Sequence, residues 1–160
     1  MKKSCKLCWS VTAVILLLVI GGGAFVFVRG NTTEGDDGRT AILLNPTERT
    51  HVLGEMRGLL EAVEAITYGI AHNDMPAVST AARAVGMGAA GGEPLTLIAK
   101  LPLEFKTLGM ATHQAFDGLA VEAEDMGDSM VVLGQLSAIL TNCTSCHAGY
   151  RFAVGEDDGS

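Results

Sequence analysis

Between Trp9 and Val28 the chain runs for 20 residues without a charged side chain, and that run restricts the fold more than any other feature. As an α-helix it is about 30 Å long, the thickness of a bilayer's hydrocarbon core. A helix is also the only single-segment structure that carries its own backbone hydrogen bonds through lipid. Lys2, Lys3 and Lys6 precede the run, and Glu34, Asp36 and Asp37 follow it soon after Arg29. Positive charge before and net acid after put the N-terminus in the cytoplasm and everything from Gly30 outside it. The expectation is an uncleaved single-pass anchor. The rival is a signal peptide cut near Gly21-Gly22-Gly23-Ala24, against which the apolar run continues through Phe25-Val26-Phe27-Val28, past the roughly 15 residues of a secretory apolar region.

Export changes the charge balance. All 18 acidic residues follow Gly30, whereas Lys2, Lys3, Lys6 and Arg29 do not, so the exported part holds 7 basic residues and a formal net charge of −11. Nucleic acid is excluded as a partner, because its phosphates reward clustered Lys and Arg. Such a surface either steers basic partner proteins toward it or serves solubility alone. Aromatics make up only 5% of the chain, too few for a β-sandwich, and the many Ala, Leu, Met and Glu residues suit helices.

Helical periodicity runs through the exported part. Asn45-Pro46-Thr47-Glu48 is a helix start: Asn caps, Pro occupies the first turn, and Glu stands three residues after the cap. Val52, Met56, Leu59, Val63, Ile66 and Ile70 then step by three and four, which predicts a long amphipathic helix over 47–72. A second, small-residue helix opens at Pro76 and runs to about Met87, and the Gly/Ala-rich stretch 86–92 reads as a loop. Leu101-Pro102 starts a third helix with the face Phe105, Leu108, Thr112, Phe116, Leu119 and Ala123. Asp128 or Ser129 caps a fourth, whose face reads Leu133, Leu136, Leu140, Cys143 and His147. The fold class expected is all-α, an antiparallel up-down-up-down four-helix bundle preceded by one transmembrane helix. The corresponding divisions are an anchor over 1–29, a linker over 30–45, the bundle over 46–154 and a tail over 155–160.

Chemistry concentrates at Cys143-Thr144-Ser145-Cys146-His147. CxxCH is the attachment signal for c-type haem. Two cysteines three apart on a helix share a face, so their sulfurs can reach the two vinyl groups of one porphyrin, and the adjacent His is the proximal iron ligand. A strained disulfide or half of a zinc site are the alternatives. Cys5 and Cys8 form a second CxxC on the other side of the anchor, with no partner pair there, and read as bystander thiols. Only 13 residues follow His147 and none is Met or His, so any distal ligand comes from upstream.

An all-helical chain with CxxCH on its last helix, continuing Ala148-Gly149-Tyr150-Arg151, resembles the cytochrome c-prime family (class II c-type cytochromes). The resemblance covers about 45–153 and is most specific at Cys143–Arg151. It implies one covalent haem c in a four-helix bundle facing the bacterial periplasm, here held at the inner membrane by the N-terminal helix. Some members of that family leave the distal side open or blocked and bind NO or CO. Others use a first-helix Met as sixth ligand and carry electrons. Helix-face homodimers are common among them. In an antiparallel bundle the start of the first helix lies beside the end of the fourth, which makes Met56 the candidate distal ligand. Core filling is the alternative role for Met56, and His51, on the Glu-rich face of the same helix, is a weaker candidate. Arg151 is a candidate partner for a haem propionate. Phe105, Leu108, Leu140 and Tyr150 are candidate haem-wall residues. With no paired-acid site, nucleophile motif or phosphate loop, the reading is a non-enzymatic one-electron carrier serving redox partner proteins. A gas-binding haem protein is the alternative.

Overall fold

The computed structural model describes residues 2–125 and 127–155, with side chains from residue 8 onward. The side chains of Lys2, Lys3, Cys5 and Lys6, residue Met126 and the tail 156–160 lie outside the described residues. The chain is mostly helical with one small sheet. Its elements run α1 (Lys2–Arg29), β1 (Thr32–Glu34), β2 (Thr40–Leu44), α2 (Pro46–Ala71), α3 (Met75–Ala84), α4 (Met87–Ala90), α5 (Leu95–Lys100), α6 (Leu103–Asp125), α7 (Ser129–Gly149) and β3 (Tyr150–Val154).

Helix α1 is exposed along its whole described length from Cys8 to Arg29, and only its C-terminal end meets other helices, α5 and α6. It and α7 are the two described helices long and apolar enough to cross a membrane. The junction beyond α1 is tight. Gly30, at φ 65°, lies so close to the Lys100–Pro102 backbone that a Cβ there would sit 2.5 Å from the Lys100 carbonyl oxygen. The Asn31 N–H donates to that carbonyl at 2.7 Å. Lys106 places its ammonium 3.7 Å from the centre of the Phe27 ring and donates to the Phe27 carbonyl at 3.1 Å.

The stretch 30–45, expected as a linker, is built into the domain. β1 pairs antiparallel with β2, and β2 pairs parallel with β3, from Thr40↔Tyr150 to Leu44↔Val154. The physical reason is burial: Ala41, Ile42 and Leu44 are removed from water by this pairing and by the helix starts around it. Two further corrections concern the middle of the chain. The 86–92 stretch contains the short α4, fixed where the Met87 N–H donates to the Asp117 carboxylate at 2.9 Å. Residues 95–100 form α5, whose Leu97 is buried.

The start of α2 is as its sequence dictates. Asn45 accepts from the Glu48 N–H at 2.8 Å, and Glu48 accepts in return from the Asn45 N–H at 2.9 Å. Asp128, rather than Ser129, caps α7, accepting from the N–H groups of Met130 and Val131. Helix α2 packs on α3, α3 on α6, α6 on α7, and α7 on α2 along a shorter seam.

The core comes in two clusters. The first gathers Ile66, Val78, Ala82, Phe116, Leu119, Ala120, Ala123, Val132, Leu136 and Ile139 from all four of these helices. The second joins Ile42, Leu44, Val52 and Leu97, with Phe105, Tyr150 and Phe152 packed against them. Helices α2 and α6 therefore run from the second cluster toward the first, and α7 runs back.

Candidate functional site

The buried stripe of α7 reads Val132, Leu136 and Ile139, and steps of four and three carry it on to Cys143 and Cys146. The expected stripe through Leu133 and Leu140 is corrected by this: those side chains are 41% and 40% exposed. The reason is that α7 is apolar on nearly every side, so periodicity alone does not choose its inner face. A helix of that kind ordinarily has cover all round. Here one apolar line, Leu133–Leu140, stays in the open and leads to the exposed His147.

Cys143 and Cys146 are half-buried free thiols. Burial pushes the pKa of both upward, and each stays a thiol at neutral pH. No third His, Cys, Asp or Glu donor gathers with them among the described residues. The group that does gather is His51, Glu55 and Glu93, whose donor atoms lie within 4.8 Å of one another. His51 Nε2 is 3.0 Å from both carboxylate oxygens of Glu93, which occupies the imidazole on the outer face of α2.

Three helices cross the interval between the two core clusters. On α2, Met56 lies between Val52 of the second cluster and Leu59, which packs against the first; on α6, Leu108 lies between Phe105 and Phe116. On α7, Cys143 and Cys146 lie between Ile139 and Tyr150. Met56, Leu108 and the nearby Leu53 are half-buried and belong to neither cluster. The short α3 contributes only to the first cluster. By residue type the donors fit a haem: two half-buried free thiols three apart on α7, a His next in sequence to the second, and a half-buried Met thioether on α2.

The chain matches no family model, no curated protein and no solved structure.

The other expected site residues are placed as follows. Phe105 and Tyr150 meet edge to face, 5.4 Å between ring centres, and belong to the second core cluster at the sheet. The Tyr150 hydroxyl donates to Glu104 at 3.2 Å. Arg151 pairs with Asp37 at 3.4 Å. His113, on α6, hydrogen-bonds the Val85 carbonyl through Nδ1 at 2.7 Å.

Two residues with a role here carried no sequence signal. Asp37 holds Arg39 through Nε at 2.9 Å and Nη2 at 2.6 Å, while Arg39 Nη1 donates to the His147 carbonyl at 3.2 Å. That contact spans 108 positions, and only the β2–β3 pairing brings it about.

Proposed function

We propose that the chain is a membrane-anchored monohaem c-type cytochrome that carries one electron at a time, with α2, α3, α6 and α7 as an up-down-up-down bundle. The observation that carries this reading is the break in the core at the level of CxxCH. Met56, Leu108, Cys143 and Cys146 each lie, along their own helices, between residues of the two clusters and belong to neither. Apolar side chains left without partners forfeit both transfer and packing energy, and a porphyrin supplies the missing surface. Cys143 and Cys146 would hold haem c through thioether bonds, and His147 and Met56 would be the iron ligands. Bound there, haem c supplies a one-electron Fe(III)/Fe(II) couple.

The residues of the chain set the terms of that couple. The Met56 thioether would favour the reduced iron, and Leu53, Leu108 and Leu140 would line the haem and limit water around it. The exported surface, with its formal charge of −11, favours redox partners with a basic docking face. The anchor keeps the carrier at the membrane.

The test is covalent haem. Expressed in a periplasm with haem-maturation machinery, the wild-type chain retains its haem in acidified organic solvent, and Cys143→Ala/Cys146→Ala loses it. Haem that leaves the wild-type chain in that solvent, or stays with the double variant, overturns the reading.

A further inference from the structure

We infer that the Asp37–Arg39 pair on the N-terminal hairpin is a positioning and charge-setting device for His147; this rests on the haem reading above. The last four carbonyls of any α-helix lack intrahelical partners, and in α7 His147 owns one of them. Arg39 Nη1 donates to it at 3.2 Å. The sheet makes this encounter: Arg39 precedes Thr40, Thr40 is registered against Tyr150, and Tyr150 follows His147 by three residues.

Asp37 then fixes the guanidinium. It accepts from Nε and Nη2, which leaves Nη1 aimed at the carbonyl, and it also lies 3.4 Å from Arg151 Nη1. The cluster is two guanidiniums around one carboxylate. It places a net positive charge beside the proximal ligand of a domain that is otherwise strongly acidic. Positive charge there favours the reduced iron, and the clamp on the carbonyl holds the helical turn from which the imidazole projects.

Charge and clamp separate by sign. Arg39→Gln removes a positive charge, and Asp37→Asn removes a negative one, while both weaken the hold on the hairpin. If the hairpin acts only as scaffold, the two variants move the iron's midpoint potential the same way. If it acts as inferred, Arg39→Gln lowers the midpoint and Asp37→Asn raises it. In each case the oxidised-to-reduced ratio at the wild-type midpoint changes by roughly three- to tenfold, the range for one partly solvated charge. Arg39→Lys keeps the charge and stays near the wild-type value.

The measurement is a spectroelectrochemical titration of the full-length holoprotein in detergent, with urea midpoints alongside. Wild-type protein without covalent haem overturns both the haem reading and this inference. Covalent haem with the two midpoints unmoved, or shifted in the same direction, overturns this inference alone. Should Arg39→Gln not fold, Arg39→Lys and Asp37→Asn carry the same test: the first holds the midpoint, the second raises it, and any other pattern refutes the device.

Discussion

Helices α2 and α3 approach each other at Gly69, and a single methyl group there tests how their seam is packed. A Cβ on Gly69 would lie 2.7 Å from Val78 Cγ2, 0.7 Å inside the 3.4 Å edge of ordinary contact, and 3.1 Å from the Asp74 carbonyl oxygen. Val78 is fully buried, and a β-branched residue in a helix has essentially one rotamer, so the methyl cannot swing aside. The helices must part instead, at an overpacking cost of about 1–3 kcal/mol. Against it stands the helix-propensity gain of Gly→Ala, at most about 1 kcal/mol and smaller in a last turn. Gly69→Ala is therefore destabilising by about 1 kcal/mol. In a Val78→Ala background the clashing carbon is gone and only the approaches to the Asp74 carbonyl oxygen at 3.1 Å and the Val78 nitrogen at 3.3 Å remain, so the same substitution costs less. The coupling in the double-mutant cycle is then about 1–2 kcal/mol. Urea unfolding of the full chain in detergent, followed by circular dichroism, reads all four corners. Equal effects of Gly69→Ala in both backgrounds would refute the close-packed seam.

Four further outcomes are expected. Glu124, hydrogen-bonded by Arg83 and Ser79, has its pKa lowered from 4.5 to about 2. The stability difference between wild type and Glu124→Gln should accordingly be complete above pH 4.5 and fade as the pH falls toward 2, in urea midpoints taken across that range. Glu48→Ala removes both the reciprocal half of the α2 cap and the 2.7 Å partner of Lys100, and should cost about 1–3 kcal/mol by urea unfolding. Met56→Ala should turn a low-spin ferric spectrum high-spin, lower the midpoint and open the ferrous iron to CO; a wild-type spectrum already high-spin and unmoved by the substitution would favour gas binding. External protease on spheroplasts should digest the exported part of a protein that sediments with the membrane, whereas intact soluble protein would mean a cleaved leader.

What could be read from the sequence was local. The α2 start needs only Asn45, Pro46 and Glu48, all within one turn, and it forms as written. The sheet is the opposite case. Ala41–Leu44 and Tyr150–Val154 are short apolar runs whose pairing spans more than a hundred residues, so no window of sequence contains both partners. Their β-branched and aromatic content was the one available hint. Helix α7 failed for another reason: with apolar residues on nearly every face, its sequence supports both the Val132–Ile139 and the Leu133–Leu140 stripes, and only packing against α2 and α6 selects the first. Of the candidate site, the CxxCH spacing was legible because all five residues fall within two turns of one helix, and the helical stripe that carries Met56 was legible from its steps of three and four. Asp37 and Arg39 were not, since their part depends on the sheet.

If the chain is the carrier proposed above, the way α1 joins the domain also governs how partners find it. A flexible tether of 15 or so residues would let a domain roam about 20 Å from its point of attachment. Residues 30–45 give no such freedom, because they form two paired strands and the turn between them, and Gly30 and Lys106 seat the end of α1 against α5 and α6. With α1 in a bilayer, the domain stands at one height and one tilt. It can drift and spin in the plane of the membrane, but it cannot lean out to a partner. The encounter then becomes a two-dimensional search, and a donor or acceptor qualifies by the height at which it presents its own cofactor.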